Sequence, residues 1–160
     1  MVDEADSFPF ITVSPQCPLD TDWEGQRHLL IPLLDDVMGR TPVDPARVYL
    51  TGLSMGGRGS WALAVTHPAR FAAVAPICGA TPHAPDFFDR LPVLKDKPLW
   101  VFHGAHDTVV PIGHSDHIVA MLRALGSDVH YTVYPDARHY AWTRTYANPE
   151  LYRWFLEHTL

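Results

Sequence analysis

A serine flanked on both sides, at two-residue spacing, by glycine is the first residue in this chain that could do chemistry. Gly52-Leu53-Ser54-Met55-Gly56 follows an apolar run at residues 48–53 (VYLTGL) and precedes a helix-like stretch at residues 56–66. Between a strand and a helix, G-x-S-x-G is a sharp turn that lifts the serine hydroxyl clear of the sheet edge. The two glycines are expected to keep side chains away from neighbouring elements. The turn also leaves the Met55 N–H at a helix start, where the dipole favours negative charge. Met55 is therefore a candidate oxyanion donor.

A serine hydroxyl is a weak nucleophile until a base takes its proton and an acid orients the base. The acid candidate is Asp107, in His103-Gly104-Ala105-His106-Asp107, just past the apolar run at residues 99–103 (LWVFH). Asp116 and Asp128 are weaker rivals, at a helix start and a strand start. The base candidate is His139, in Tyr134-Pro135-Asp136-Ala137-Arg138-His139, a loop beyond the last strand-like run. The order Ser, Asp, His along the chain suits this turn chemistry. The plainer alternatives are a turn aspartate and a surface-loop histidine.

Ten histidines invite a metal reading. His103 and His106 are three apart, as are His114 and His117. No cysteine or carboxylate cluster completes either pair at ligand spacing, and no H-E-x-x-H occurs, so no metal is expected. His103 reads as a packed strand-end residue.

The elements that must position these groups alternate. Residues 8–14 (FPFITVS), 48–53, 71–78, 99–103 and 129–134 read as strands. Residues 26–38 carry a helix-like apolar pattern with Pro32 inside it. A second helix covers residues 56–66, stopped by His67-Pro68. Ile118, Met121, Leu122 and Leu125 share a helix face closed by Gly126. Asn148-Pro149 starts a C-terminal helix ending near His158. Residues 81–91 are Pro-rich and ambiguous. Five strands and about four helices in alternation predict an α/β fold, a mainly parallel sheet with helices on both faces, as one domain over residues 1–160. In such sheets functional groups gather at the carboxyl ends of the strands.

Composition bounds the rest. Hydrophobic residues make up 47% of the 160, enough for a core, and the 15 prolines suggest stiff loops. The net charge of −6 carries no basic stripe, which argues against nucleic-acid partners and acidic membranes. No apolar stretch approaches bilayer length. Residues 1–7 lack the apolar core of a signal peptide, so the expected location is cytoplasmic. Cys17 and Cys78 are too few for a disulfide framework. They are expected to be free thiols, with a single bridge as the alternative.

Four stretches, FPFITVSPQCP, DPARVYLTGLSMGGRGSWALAVTHPARFAAVAPICG, LWVFHGAHDTVVP and YTVYPDARHYAWTRTYANPELYRWFLEH, resemble the esterase branch related to polyhydroxybutyrate depolymerases, feruloyl esterases and prolyl-oligopeptidase-like hydrolases. The resemblance covers nearly the whole chain from Phe8 onward. It implies a minimal α/β-hydrolase fold and a Ser54–Asp107–His139 triad that needs no metal or organic cofactor. It also implies Trp142 as a substrate-lining residue, with a plain core aromatic as the alternative. Tyr140 stands where a small or acidic residue is usual, which implies a narrower or differently gated pocket. Family members carry early strands and a His-Gly-rich oxyanion loop ahead of FPFITVSPQCP, and the 160 residues do not include them.

Two expectations follow from that difference. A tetrahedral oxyanion usually takes two N–H donors, and losing one costs about 3 kcal/mol. The second is expected from residues 14–16, with Gln16 the named candidate. The FPFITVS strand either pairs directly with VYLTGL, or a second copy of the chain covers the open edge as a homodimer. The expected activity is hydrolysis of short-chain acyl or small aromatic esters. The alternatives are a peptidase or thioesterase using the same three residues, and a non-catalytic hydrolase fragment.

Overall fold

A computed structural model describes residues 8–160; the reading of residues 1–7 lies outside them. Helix α1 (Arg27–Arg40) leads into strand β1 (Tyr49–Leu53) and helix α2 (Met55–Thr66). Strand β2 (Ala73–Ile77) is followed by the short helix α3 (Phe87–Arg90) and a 3-10 turn at Leu91–Leu94. Strand β3 (Trp100–Gly104), helix α4 (Gly113–Ala124) and strand β4 (His130–Tyr134) follow. Helices α5 (Ala141–Tyr146) and α6 (Pro149–Glu157) close the chain.

The four strands form one parallel sheet in sequential order, β1-β2-β3-β4. Right-handed crossovers between sequential parallel strands put their helices on one face. There Trp61 and Leu63 of α2, and Ile118, Val119 and Leu122 of α4, pack with Val74 and Val101, with Leu30, Ile31 and Leu34 of α1 against them. The opposite face packs Ala73, Ala75, Ile77 and Phe102 under Ala141 of α5 and Leu151, Trp154 and Phe155 of α6. Alternate residues of β2 thus serve alternate cores. This explains why AVAPI is apolar throughout and entirely buried. Pro76 lacks the N–H a central ladder needs. The β2–β3 pairing breaks there, with a bridge at Val74–Leu99 and the next pair at Ile77–Phe102.

The expected fifth strand does not form. Residues 8–14 take no regular secondary structure and join no ladder, and among the described residues no strand lies on the outer edge of β1. Pro9 and Pro15 withhold backbone donors from this segment. Its aromatic rings find their partners on α6 and β1 instead. Phe8 lies 5.5 Å from Tyr152, and Phe10 lies 5.9 Å from Tyr49 and 6.5 Å from Phe155. Direct pairing of FPFITVS with VYLTGL is therefore corrected to side-chain packing across α6.

The helix ends follow their local signals. Gly126, at φ 85°, closes α4 with Gly126 N–H donating to Arg123 C=O and Ser127 N–H to Leu122 C=O. Asn148 Oδ1 accepts from Glu150 N–H at the start of α6. No helix among the described residues is long and apolar enough to cross a membrane. Both cysteines are buried free thiols.

Candidate active site

Ser54 sits between β1 and α2 with φ 52° and ψ −112°. A non-glycine residue there costs about 1–3 kcal/mol, which the surroundings must offset. Ser54 N–H donates to Ile77 C=O at 2.9 Å, and Arg58 N–H donates to Ser54 C=O at 3.0 Å, pinning both sides of the turn. Gly52 has the expected steric role, because a Cβ there would run into the Gly56 carbonyl. Gly56 does not: a Cβ on it would meet open space. The close approach falls one residue later, where a Cβ on Gly57 would lie 2.6 Å from Ile77 O and 2.8 Å from Gly79 Cα. The constraint expected at Gly56 is therefore corrected to Gly57, which lets α2 begin directly against the end of β2.

Asp107 lies in the loop after β3 and His139 in the loop after β4, so all three candidates stand at carboxyl ends of parallel strands. The two loops are stitched together. Ala105 N–H donates to Tyr134 C=O and His106 N–H to Ala137 C=O, each at 2.9 Å. Gly104 is where they touch, since a Cβ there would collide with the Arg138 and Ala137 carbonyl oxygens. Gly104→Ala is expected to push the His139 loop away. The cost should be about 1–3 kcal/mol, read as a melting temperature several degrees lower together with slower ester hydrolysis. An unchanged melting temperature would show that the loops yield freely.

The side chains close on one another. His139 Nδ1 is 2.7 Å from Asp107 Oδ2, and His139 Nε2 is 2.9 Å from Ser54 Oγ. An ionised carboxylate only accepts, so Nδ1 carries the hydrogen and neutral Nε2 accepts from the serine hydroxyl. Asp107 Oδ1 accepts from the Val109 and Val110 N–H groups, both at 2.9 Å. Burial pushes the Asp107 carboxyl up. Its bonds from His139, Val110 and Val109 outweigh that and hold it below the usual carboxylate range. The rivals Asp116 and Asp128 lie elsewhere, and Asp116 accepts from Tyr131 O–H at 2.8 Å.

The other expected residues divide. Met55 is the first residue of α2 and half-exposed, so its N–H has no intrahelical acceptor. Trp142 stands edge-on to the His139 ring at 5.3 Å, and Tyr140 lies 5.8 Å from Trp142, mostly exposed. Gln16 is exposed, and its side-chain amide donates to Cys17 C=O at 3.3 Å. Among the described residues no hydrogen bond joins it to Ser54 or Met55.

Two neighbours carried no motif. His103, weighed with His106 as a metal pair and read as a packed strand-end residue, contacts Asp107 Oδ2 at 3.3 Å. Cys78, at φ 40°, donates its thiol to His139 C=O at 3.5 Å. Their one signal in the sequence was position, each at the carboxyl end of a strand. Ligand-type atoms of Cys78, Asp107 and His139 lie within 4.8 Å of one another. Burial pushes the Cys78 thiol up to about 11, and the other two atoms are committed to each other, which suits a hydrogen-bonded cluster better than a metal. Of the paired histidines, His103 is held by Ser115 and Val110, and His114 Nδ1 accepts from Thr81 N–H at 3.2 Å. A concavity opens at the opposite end of the sheet, between Lys97, His130, Trp154 and His158, away from these groups.

The chain is similar to known hydrolases over most of its length. Residues 19–148 match the family described as phospholipase/carboxylesterase. A thermostable esterase of known structure superposes with a TM-score of 0.84 at 33% identity, covering 91% of this chain and 43% of that one. A bifunctional acetylxylan esterase/xylanase from Neocallimastix patriciarum is 26% identical over 94% of this chain and 22% of its own length. A putative carboxymethylenebutenolidase from Methylorubrum extorquens is 32% identical over 63% of this chain and 36% of its own. The chain thus spans little more than a third, at most, of these curated relatives. With a parallel sheet flanked by helices and this match, the chain belongs to the phospholipase/carboxylesterase family of α/β-hydrolases.

Proposed function

We propose that this chain is a serine carboxylesterase domain acting on short-chain acyl or small aromatic esters through Ser54, His139 and Asp107. The observation that carries the reading is the unbroken hydrogen-bond chain from Ser54 Oγ through His139 to Asp107.

In this reading Ser54 Oγ attacks the ester carbonyl carbon while His139 Nε2 takes its proton. Asp107 holds the imidazole in the required tautomer and stabilises its cation. Met55 N–H receives the oxyanion. Gln16 supplies the second donor once its side-chain amide leaves Cys17 C=O, and Asp22, further along the same segment, is anchored to Arg58 in the first turns of α2 at 2.7 Å. His139 returns the proton to the leaving alcohol, and the acyl group stays on Ser54. Water, deprotonated by His139, then releases the acid and restores the serine. Trp142 and Tyr140 flank the acyl or aromatic part of the substrate with apolar area.

A fluorophosphonate distinguishes this reading from that of a chain that only binds. It should label wild-type protein at Ser54 and leave Ser54→Ala unlabelled. Folded wild-type protein that resists the reagent would overturn the proposal. We further propose that a second copy of the chain covers the open edge of β1, because an unpaired strand edge invites pairing. Light scattering at micromolar concentration should give twice the chain mass of 17.9 kDa; a monodisperse monomer would refute it.

A further inference from the structure

His103 is fully buried at the end of β3 and has a defined partner on each ring nitrogen. Nε2 lies 2.9 Å from Val110 C=O and 3.3 Å from Asp107 Oδ2. Nδ1 lies 2.8 Å from Ser115 Oγ, in the first turn of α4 and itself fully buried. A carbonyl only accepts, so Nε2 carries the hydrogen and donates it to Val110 C=O, with the Asp107 carboxylate beside it. Nδ1 of a neutral ring then accepts from the Ser115 hydroxyl. Burial lowers the proton affinity of the ring, in keeping with a neutral imidazole, since a buried cation costs far more than a buried dipole.

Asp107 thus receives three donors. Val109 and Val110 N–H hold one oxygen, His139 Nδ1–H holds the other, and the His103 ring nitrogen stands 3.3 Å from that same second oxygen. The backbone donors alone leave the carboxylate free to tilt about its anchored oxygen. His103 limits that tilt, because its ring is itself fixed by α4 through Ser115.

We propose that His103, oriented by Ser115, is a positioning residue that holds the Asp107 carboxylate oxygen in line with His139. The proposal rests on the reading of Ser54, His139 and Asp107 as the catalytic groups. It adds a fourth side chain and links α4 to the reaction. His103 touches neither substrate nor the proton in flight; it acts through Asp107.

The test compares wild type with His103→Phe, His103→Gln and Ser115→Ala. Ser54 is titrated to completion with a fluorophosphonate, and p-nitrophenyl butyrate hydrolysis is expressed per titrated site. All variants should titrate near one site per chain with KM unchanged. Kcat per site should fall about tenfold or more in His103→Phe, as small misplacements of catalytic groups do. His103→Gln, which keeps an N–H able to reach the carboxylate, should recover part of it. Ser115→Ala should show a smaller fall. The far-downfield proton resonance of His139 Nδ1–H should shift in His103→Phe. A merely structural role would lower the titrated fraction and leave kcat per site and the resonance unchanged, and that result overturns the proposal. If His103→Phe does not fold, Ser115→Ala decides, and an unchanged kcat there overturns it. Failure of the underlying reading shows separately, as wild-type Ser54 that does not react.

Discussion

Ser54→Ala is expected to reduce hydrolysis of p-nitrophenyl acetate and butyrate to the background rate, a loss of about 10⁴-fold or more in kcat, as when a serine nucleophile is removed elsewhere. The fold should tolerate the change. The described side-chain hydrogen bond of Ser54 is the one to His139, and alanine keeps the same Cβ at the same φ of 52°. Melting temperature should therefore move little, so a lost rate is a lost nucleophile. Equal rates in wild type and variant would place any ester hydrolysis at another group and refute the assignment. Folded wild-type protein inactive on both esters would refute this chain as a self-sufficient esterase.

Asp107→Asn should lower kcat by about 10⁴-fold through the tautomer of His139. The geometry sets the direction. Val109 and Val110 N–H groups both need an acceptor, so the asparagine carbonyl oxygen stays where Asp107 Oδ1 is. The amide NH₂ then faces His139 Nδ1, which must accept. The ring hydrogen moves to Nε2, where it opposes the Ser54 hydroxyl instead of receiving its proton. KM for small esters should stay within a few-fold, because Asp107 is buried behind His139 and does not reach the substrate.

The same variant tests a stability prediction. The folded Asp107 carboxyl is held below its usual range, so its contribution is fully present above the ordinary carboxylate pKa and is lost as pH falls through the lowered folded value. Chemical denaturation of wild type against pH should show this loss on the acid side. Asp107→Asn should lack that part of the slope. Parallel slopes would mean that Asp107 is not held low by its bonds.

Much of the fold was legible residue by residue. The runs around Leu50, Val74, Val101 and Thr132 are short and apolar and became the four strands. Gly126 and Asn148-Pro149 marked helix ends because caps act within one turn of the chain. Helix α5 was missed. Its six residues, AWTRTY, are too few to show a helical period, and α5 forms where Ala141 docks on the sheet. Residues 8–14 misled in the opposite sense. Their composition suits a strand, but a strand exists only with a ladder partner, and Phe8 and Phe10 are held by α6 rings far along the chain.

The site divides on the same line. Sequence by itself determined the serine turn and picked out Asp107 and His139, because each follows a strand and the required local backbone leaves a mark in glycines, turn residues and apolar runs. Only the tertiary structure decided that His139 bridges Ser54 and Asp107, that the tight approach lies at Gly57 rather than Gly56, and that His103 and Cys78 border the same cluster. Those facts depend on contacts between segments tens of residues apart. The parallel sheet sets those contacts by bringing the carboxyl ends of its strands together, and no local pattern in the chain records them.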